Sequence, residues 1–305
     1  MRLSELIEAV RHRVNDADRK YNSDLEVTAW LNRHQRSLIR RKVEADLSYA
    51  DQPVNISASD SSRVEQIFTD VWRYYLPSWV YRVRRVMELS GTEILRELQH
   101  GQWVWSTNRS IDIKSTSALN LRIGVAKVPA LMRPLTVASS STTSGEIVVA
   151  KEDAEGYPFE TEDGCMLGAQ LELTSSESGR DPRGGVHVVT SQRGDVVDGA
   201  PVWVLGVRPL LVDLPAKGDT IQMHSEIEDV HAIYLINLVS HDIFQRKQNM
   251  TALANMRPEL DKCERDFIVG LQPRTDGVIT TINRGNGRPG SYNPDMDPYA
   301  DELEG

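Results

Sequence analysis

The segment EIEDVHAIYLINLVSHDIFQRKQNMTALANMRPELDKCERDF, residues 226–267, carries a long helical pattern. Its centre, Ile233–Val239, is apolar nearly all the way round a helix of 3.6 residues per turn, which predicts a helix enclosed by other elements. A membrane span needs roughly 18 consecutive apolar residues, and this run is shorter and is interrupted by Asn237. Because proline lacks an N–H and fixes its own φ, Pro258 fits best at the start of a new helix. We therefore predict helices at 225–256 and 258–269, the second ending at Gly270.

The N-terminal part of the chain predicts a pair of helices. Apolar residues at helical spacing indicate an amphipathic helix of about four turns, and they are Leu3, Leu6, Ile7, Val10 and Val14. A polar loop follows over 15–23. Ser23 or Asp24 can then cap a second helix by accepting an N–H from its first turn.

The second helix has two distinct faces. Val27 and Leu31 belong to the apolar one, and His34 on the same face is predicted to be a core histidine rather than a ligand. Arg33, Arg36 and Arg40 share the opposite face. They form either a solvated polar face or a docking surface for an acidic partner, since arginine offers forked, always-charged donors that suit carboxylate or phosphate.

After Leu47 the pattern changes to short strands separated by polar turns. The segment 71–89 is divided by the turn-prone Leu76-Pro77-Ser78, and its second half alternates as a strand does. This alternation predicts Arg82 and Arg84 on one side and Arg85 on the other, so no single basic patch follows. Further strands are predicted at 64–68, 103–105, 111–113 and 119–125.

A run of serine and threonine at 139–145 predicts a flexible join before a second β-rich region. Strand signals at 146–149, 166–174, 186–190 and 203–212 indicate a small β-sandwich or barrel lobe. The predicted fold class is α+β: a helical bundle, made of an N-terminal helix pair plus long late helices, with strands between. The predicted divisions are a core of 1–137 with 215–270, an inserted lobe at 138–214 and an extended C-terminal tail at 271–305.

Composition limits the function. The net charge of −9 argues against a general nucleic-acid binder, whose footprint is a basic patch, but is compatible with a wall that lets a polyanion slide past. Cys165 and Cys263 lack metal spacing, and we expect both to be packing residues. Since no basic segment precedes an apolar one at the start, we expect a soluble protein without a secretory signal or a membrane partner.

Motifs that carry chemistry are not found. The sequence has no phosphate-cradling loop, no His-Glu-x-x-His helix and no nucleophile elbow, so we expect no catalytic residue, cofactor or metal. The cluster His224, Glu226, Glu228, Asp229 and His231 at the start of the late helix suggests metal ligands. Acidic residues are also what the macrodipole favours in a first helical turn, and we prefer this interpretation.

Four groups of segments carry a resemblance to a known family. They are Asp24–Asn32 (DLEVTAWLN), Tyr75–Val86 (YLPSWVYRVRRV), Leu121–Leu131 (LRIGVAKVPAL), and Ile233–Leu235 with Phe244–Arg246 on the late helix. In their order along the chain and in their residue patterns they resemble the adaptor, or head-to-tail connector, proteins of short-tailed bacteriophages, also called tail tubular proteins. The resemblance covers 1–135 and 215–270. The lobe at 138–214 is a departure, being larger than the compact adaptors of long-tailed phages carry.

This resemblance implies a structural virion protein rather than an enzyme. In that family about twelve copies form a closed ring between the portal protein and the tail nozzle or tube, and double-stranded DNA passes through without sequence-specific binding. The implied location is the neck of the virion, after assembly in the host cytoplasm. Arg33, Arg36 and Arg40 are then candidates for an inter-subunit or portal contact.

The C-terminal tail is either disordered or a docking segment, because its composition buries too little to fold by itself. In the family such an extension reaches along the portal. The resemblance implies Tyr292, Met296 and Tyr299 as anchors, with Asp295 and Asp297 as charges at the rim.

Two other functions are compatible with the sequence. One is a carbohydrate- or cell-surface-binding tail component that acts through the β lobe, with Trp203 and Tyr157 as working residues. The other is a metal enzyme that uses the region from His224 to His231.

Overall fold

A computed structural model describes residues 1–45, 51–99, 101–106, 109–141, 143, 145–151, 164–174, 185–211 and 214–271. In these ranges the chain forms an α+β structure in which helices come first and last and three antiparallel sheets lie between them in sequence. The helices are α1 (Leu3–Arg13), α2 (Asp24–Ala45), α3 (Asp229–Arg246) and α4 (Met250–Leu271). This order of elements confirms the predicted fold class.

The first helix pair forms as the sequence predicts. Ser23 Oγ accepts a hydrogen bond from the N–H of Glu26 at 3.1 Å, and Glu26 Oε2 accepts one from the N–H of Ser23 at 3.1 Å. This reciprocal capping box satisfies two backbone donors at the start of α2. Leu6 and Val10 of α1 pack with Leu31 of α2 in a fully buried apolar core that α3 also enters.

The predicted boundaries of the late helices are wrong. The break lies at 247–249 rather than at Pro258, which is inside α4, and α3 begins at Asp229 rather than at 225. Gln248 adopts a left-handed φ of 53°, and Asn249 Oδ1 accepts the N–H of Ala252 at 3.0 Å, so this pair of residues ends one helix and caps the next. A proline inside a helix costs about 3 kcal/mol. Met256 and Phe267 lie on either side of the proline, and burial of each side chain contributes about 1.5–3 kcal/mol, which offsets this cost.

The strands fall into two four-stranded sheets and one closed barrel. The first sheet has the order β1-β8-β4-β5, from β1 (Asp51–Ile56), β4 (Val80–Ser90), β5 (Glu93–Leu98) and β8 (Leu121–Lys127). The second has the order β2-β3-β7-β6, from β2 (Val64–Phe68), β3 (Val71–Tyr75), β6 (Trp103–Ser106) and β7 (Ser110–Lys114). The barrel contains β9 (Leu135–Ser139), β10 (Glu146–Ala150), β11 (Gln170–Thr174), β12 (His187–Val197), β13 (Ala200–Arg208) and β14 (Thr220–Met223).

Strand β4 departs from the alternation that its sequence suggests. Its pairing with β8 shifts register between Val80 and Arg82 and again between Val83 and Arg85. Each shift is a β-bulge, which resets the two-residue period and increases the local twist. Arg82 and Arg85 are therefore both exposed, and the prediction that Arg82 and Arg84 share one side opposite Arg85 is wrong.

The barrel gives the predicted lobe its form. Six strands close in the order β10-β13-β12-β11-β14-β9, with Ile147, Leu205 and Ile221 fully buried. The expectation of a small β-sandwich or barrel is thus confirmed as a barrel. Because β9 begins before 138 and β14 lies after 214, the barrel strands extend beyond the limits that the sequence suggested. The division of the chain into domains stays a prediction, and the tail at 272–305 lies outside the described residues.

The helical layer meets the first sheet through the segment that follows β8. Met132 in this segment is buried in the same apolar core as α1, α2 and α3, together with Ala126 of β8. Among the described residues, no helix is both long and apolar enough to cross a membrane.

Candidate functional site

The three arginines that the sequence singles out line one surface groove. Arg33, Arg36 and Arg40 follow one another at helical spacing on α2, and the structure adds Arg41 beside them. Leu131, from the segment after β8, forms part of the opposite wall. The groove has a volume of about 590 Å³ and is open to solvent. We refer to it as the arginine groove.

Two buried amides of α2 hold the wall of the arginine groove in place. Asn32 Nδ2 donates to the carbonyl of Met132 at 2.8 Å, and its Oδ1 accepts the N–H of the same residue at 2.7 Å. Gln35 Nε2 donates to the carbonyl of Ala130 at 3.4 Å. Gln35 Oε1 also accepts the hydroxyl of Ser225 at 2.7 Å, which ties the start of the late helical region to the same wall. The wall is thus fixed by hydrogen bonds that the protein itself supplies.

Each arginine also has a contact within the fold. Arg33 forms an ion pair with Asp242 of α3, and Arg41 forms one with Glu264 of α4 at 3.2 Å. The Arg36 guanidinium donates to the carbonyl of Pro129 at 3.4 Å. Ion pairs at such exposure contribute about 0–1 kcal/mol, so solvent or a ligand competes readily for these donors.

At the far end of the groove, Arg40 is positioned by an aromatic ring. Its guanidinium carbon lies 5.3 Å from the centroid of the Tyr81 ring, at the start of β4. The Tyr81 hydroxyl donates to Glu44 Oε1 at 2.6 Å, and this hydrogen bond is the main reason why the pKa of Tyr81 is raised above its ordinary value. The contact orients the cationic side chain without neutralising it.

The arrangement is suited to binding and offers no nucleophile with a base beside it. Forked guanidinium donors bind carboxylate or phosphate oxygens in pairs. The lining contains four arginines and one acidic residue, Glu44. The groove therefore favours an anionic partner, although the chain as a whole has a negative net charge.

His34 has a partner inside the fold, as the sequence predicts. Its Nε2 lies 2.8 Å from Asp242 Oδ2, and the ring is partly buried between α2 and α3. The same carboxylate also holds Arg33. Asp242 thus contacts both Arg33, which lines the groove, and His34, which lies between α2 and α3.

Four of the residues proposed as an alternative metal site line one open pocket, although each has its own partner in the fold: His224, Glu226, Glu228 and Asp229. His224 precedes α3, and its Nε2 lies 2.9 Å from Glu172 Oε2, which also accepts Arg2 Nε at 2.6 Å. His231 packs edge-on against Phe267, with ring centroids 5.2 Å apart. In the part of the chain that the structure describes, no three histidine, cysteine, aspartate or glutamate side chains are grouped as metal ligands.

The acidic residues of this region are explained by local contacts. The N-terminal ammonium lies 2.5 Å from Asp229 Oδ1, which lowers the pKa of that carboxyl. Glu228 accepts Lys42 Nζ at 2.9 Å, and Glu226 accepts the N–H of Ala130 at 2.9 Å. Asp229 is in the first turn of α3, where the helix dipole favours a negative charge.

Trp203 is not available to a ligand. Its side chain is 1 % exposed inside the barrel, with Lys151 Nζ 4.1 Å from the ring centroid. The role proposed for it in carbohydrate binding therefore needs correction, because an aromatic platform for a sugar must face solvent. Its companion Tyr157 lies outside the described residues.

Both cysteines are free thiols and pack as predicted. Cys165 is buried in the apolar core of the sheets. Cys263 is partly buried against the helical core, and burial raises the pKa of its thiol.

The tail residues proposed as portal anchors, Tyr292, Asp295, Met296, Asp297 and Tyr299, lie outside the described residues. Sequence reasoning missed Asn32 and Arg41 as parts of the groove. Arg41 follows Arg40 directly and is therefore about 100° further round the helix, so the spacing of Arg33, Arg36 and Arg40 did not predict its place in the groove. The role of Asn32 depends on Met132, which is a hundred residues away, and no local pattern signals it.

Comparison with known proteins adds no identity. No family model, no curated protein and no solved structure matches the chain.

Proposed function

We propose that this chain is a structural virion protein, a ring-forming adaptor that joins the portal vertex of a phage head to its tail and continues the DNA channel. Its partners are the portal protein, the tail nozzle or tube protein, and further copies of itself. The proposal assigns no catalytic residue and no cofactor. It places the protein in the neck of the virion.

The observation that carries the proposal is where the family-like segments lie. Asp24–Asn32 begins α2, and Leu121–Leu131 supplies β8 and the opposite wall of the arginine groove. Tyr81, from Tyr75–Val86, contacts Arg40. The late helix joins them, since Arg246 Nη1 donates to Glu26 Oε1 at 2.9 Å. Segments far apart in sequence thus meet around one helix, which supports a shared structural role for them.

Charge supports the same function. An acidic chain assembled into a ring gives a lumen that repels DNA, whereas a cationic lining would retain it by counterion release. The arginine groove concentrates positive charge at one place on this acidic molecule. Such a local reversal of sign is what an oriented contact with an acidic partner needs, because complementary charges set register and speed association.

Portal binding by the full-length chain tests the proposal. The chain is mixed with the portal protein encoded beside its own gene, and the mass of the portal assembly is measured by mass photometry. We expect a gain in mass that corresponds to a full ring. No gain at any mixing ratio would contradict the proposal.

A tail variant tests the proposed anchors. Replacement of Tyr292, Met296 and Tyr299 by alanine in the full-length chain is expected to weaken portal binding by about tenfold or more, since buried aromatic anchors dominate such interfaces. The matched control replaces Thr280, Thr281 and Asn283 by alanine in the same tail. Equal binding by both variants would remove the assigned role of the anchors.

A further inference from the structure

The hairpin of β4 and β5 exposes apolar side chains that the fold does not use. Ile94 is 53 % exposed and Leu95 is 61 % exposed, although both belong to a strand. Gly91 in the turn has a φ of 64°, and a Cβ placed there would have no atom within 4 Å, so the turn is in open space. We refer to residues 88–97 as the arm. An exposed pair of large aliphatic residues on such an element marks an interaction surface.

The arm also has a free edge. Strand β5 is the last in the order β1-β8-β4-β5, so one row of its backbone N–H and C=O groups is not used by the sheet. Arg96 Nε forms an ion pair with Glu88 Oε2 at 2.7 Å, which ties the two strands of the arm together. Glu93 and Glu97 are exposed and form no ion pair within the described part of the chain. Pairing with β4 places Ile94 and Glu97 on one face of the arm, opposite Leu89 and Met87, and Glu93 on the other face, opposite Ser90. One face of the arm therefore presents an exposed aliphatic side chain beside an exposed carboxylate.

The arginine groove has the complementary character. Its charged residues include Arg36 and Arg40, and its apolar ones are Ala29 and Leu131. The Glu97 carboxylate can pair with a guanidinium group, which binds it bidentately, while Ile94 on the same face of the arm covers the apolar wall.

The position of the two surfaces decides between a contact within one chain and a contact between copies. Tyr81 at the start of β4 touches Arg40 of the groove, whereas Gly91 lies just after the end of the same strand. At about 3.3 Å per residue, the turn of the arm is about 30 Å from the groove. An extended strand holds the two apart, so the arm cannot enter the groove of its own chain.

We propose that the arm of one copy docks into the arginine groove of a second copy. The contact is heterologous, because each copy gives its arm to one neighbour and its groove to another. Such contacts close into a ring when the rotation between copies permits it. This inference rests on the proposed function, which requires a ring of copies, and adds the two surfaces that join neighbouring copies.

A disulfide between the two surfaces tests the contact. The full-length chain carries Leu95→Cys and Ala29→Cys together in a Cys263→Ala background, and oxidation is followed on non-reducing gels. We expect a ladder of multimers from this double variant and no crosslink from either single variant, since a heterologous contact brings position 95 only to position 29. A crosslinked dimer from Leu95→Cys alone would mean that arms pair with each other. That result, or the absence of a ladder, would overturn the proposal.

Charge reversal tests the complementarity. In the crosslinking background, Glu97→Arg, or Arg40→Glu, is expected to reduce ladder formation by about tenfold or more. Combining Glu97→Arg and Arg40→Glu in one chain is expected to restore it, which a merely unfolded variant could not do. Arg257→Glu makes the same kind of charge change on an exposed residue of α4 and is expected to leave the ladder unchanged. Failure of the combined variant to recover would argue against the pairing of these charges.

The outcome separates this inference from the proposed function. A ladder without portal binding would support the contact between copies and contradict the adaptor function. Portal-bound rings from the unmodified chain, with no ladder from the cysteine variant, would leave the adaptor function standing and exclude the arm as the element that joins copies.

Discussion

Asn32 is the residue that connects the arginine groove to the folding of the chain. It is buried in α2. Its side-chain amide donates to the carbonyl of Met132 and accepts the N–H of the same residue, as a neighbouring strand does in a sheet. Burial of a backbone group without a partner costs about 1–3 kcal/mol. Asn32 thus fixes the wall that faces the arginines, together with Gln35.

Asn32→Ala is expected to lower the free energy of unfolding by about 2–4 kcal/mol, because it leaves the N–H and C=O of Met132 buried without their partner. Urea denaturation followed by circular dichroism measures this. The matched control is Ser37→Ala, an exposed position on the same helix that should change stability by less than about 0.5 kcal/mol. Similar stability of both variants would contradict the role assigned to Asn32.

His231 gives the molecule a pH dependence. Burial lowers its pKa below the ordinary 6.5, Lys42 lowers it further, and Glu228 and Asp266 oppose the shift. The folded state therefore prefers the neutral ring. The neutral ring stabilises the folded state at pH values above the pKa that His231 has in the unfolded chain. This contribution is lost as the pH falls from that pKa to the lower pKa of His231 in the folded state.

Replacement of His231 by glutamine is expected to flatten the fall in the free energy of unfolding between about pH 7 and about pH 5, since the variant has no ring to protonate. Denaturation at a series of pH values measures the slope. His12→Gln, at an exposed position of α1, is the control and should keep the slope of the wild type. An unchanged slope in the His231 variant would show that its ring does not bind protons differently in the two states.

At the scale of elements, α4 shows why a proline can mislead. Pro258 predicted a helix start, yet α4 continues through it, and Asn249 caps the helix nine residues earlier. The stripe of Met256, Leu260 and Phe267 continues across the proline on the side that faces the core. Packing of this stripe outweighs the local cost.

Pro258→Ala is expected to raise the free energy of unfolding by about 1–3 kcal/mol, because alanine restores the N–H that a helix interior uses and removes the clash of the ring. If Pro258 instead began a new helix, the substitution would be neutral or destabilising, since proline is favourable in a first turn. Thermal unfolding distinguishes the two. Arg257→Ala, at the neighbouring exposed position, is the control and should leave stability within about 0.5 kcal/mol.

The strands also show features that local sequence patterns do not predict. Most strand positions followed from alternation and turn residues, whereas the bulges of β4 depend on its pairing with β8 and not on its own residues. The spacing of Arg33, Arg36 and Arg40 predicted a shared face because helical geometry is local. The opposite wall of the groove depends on contacts across about a hundred residues, which one sequence does not encode in any local pattern.

At the scale of the whole molecule, the sign of the charge differs between the chain and its groove. The chain has a net charge of −9, but four arginines gather around one groove. Composition alone predicted a molecule that repels polyanions. Helical spacing predicted the shared arginine face, and the fold shows that this face lines a groove. In the proposed adaptor the two properties serve different surfaces, with negative charge toward DNA and positive charge toward an acidic protein partner.

Electron-microscope class averages test the adaptor function most directly. They are recorded for the chain mixed with the portal protein encoded beside it, and for each protein alone. If the chain is an adaptor, portal rings gain a second tier only in the mixture. Single copies of the chain that persist beside portal rings without added density would contradict it.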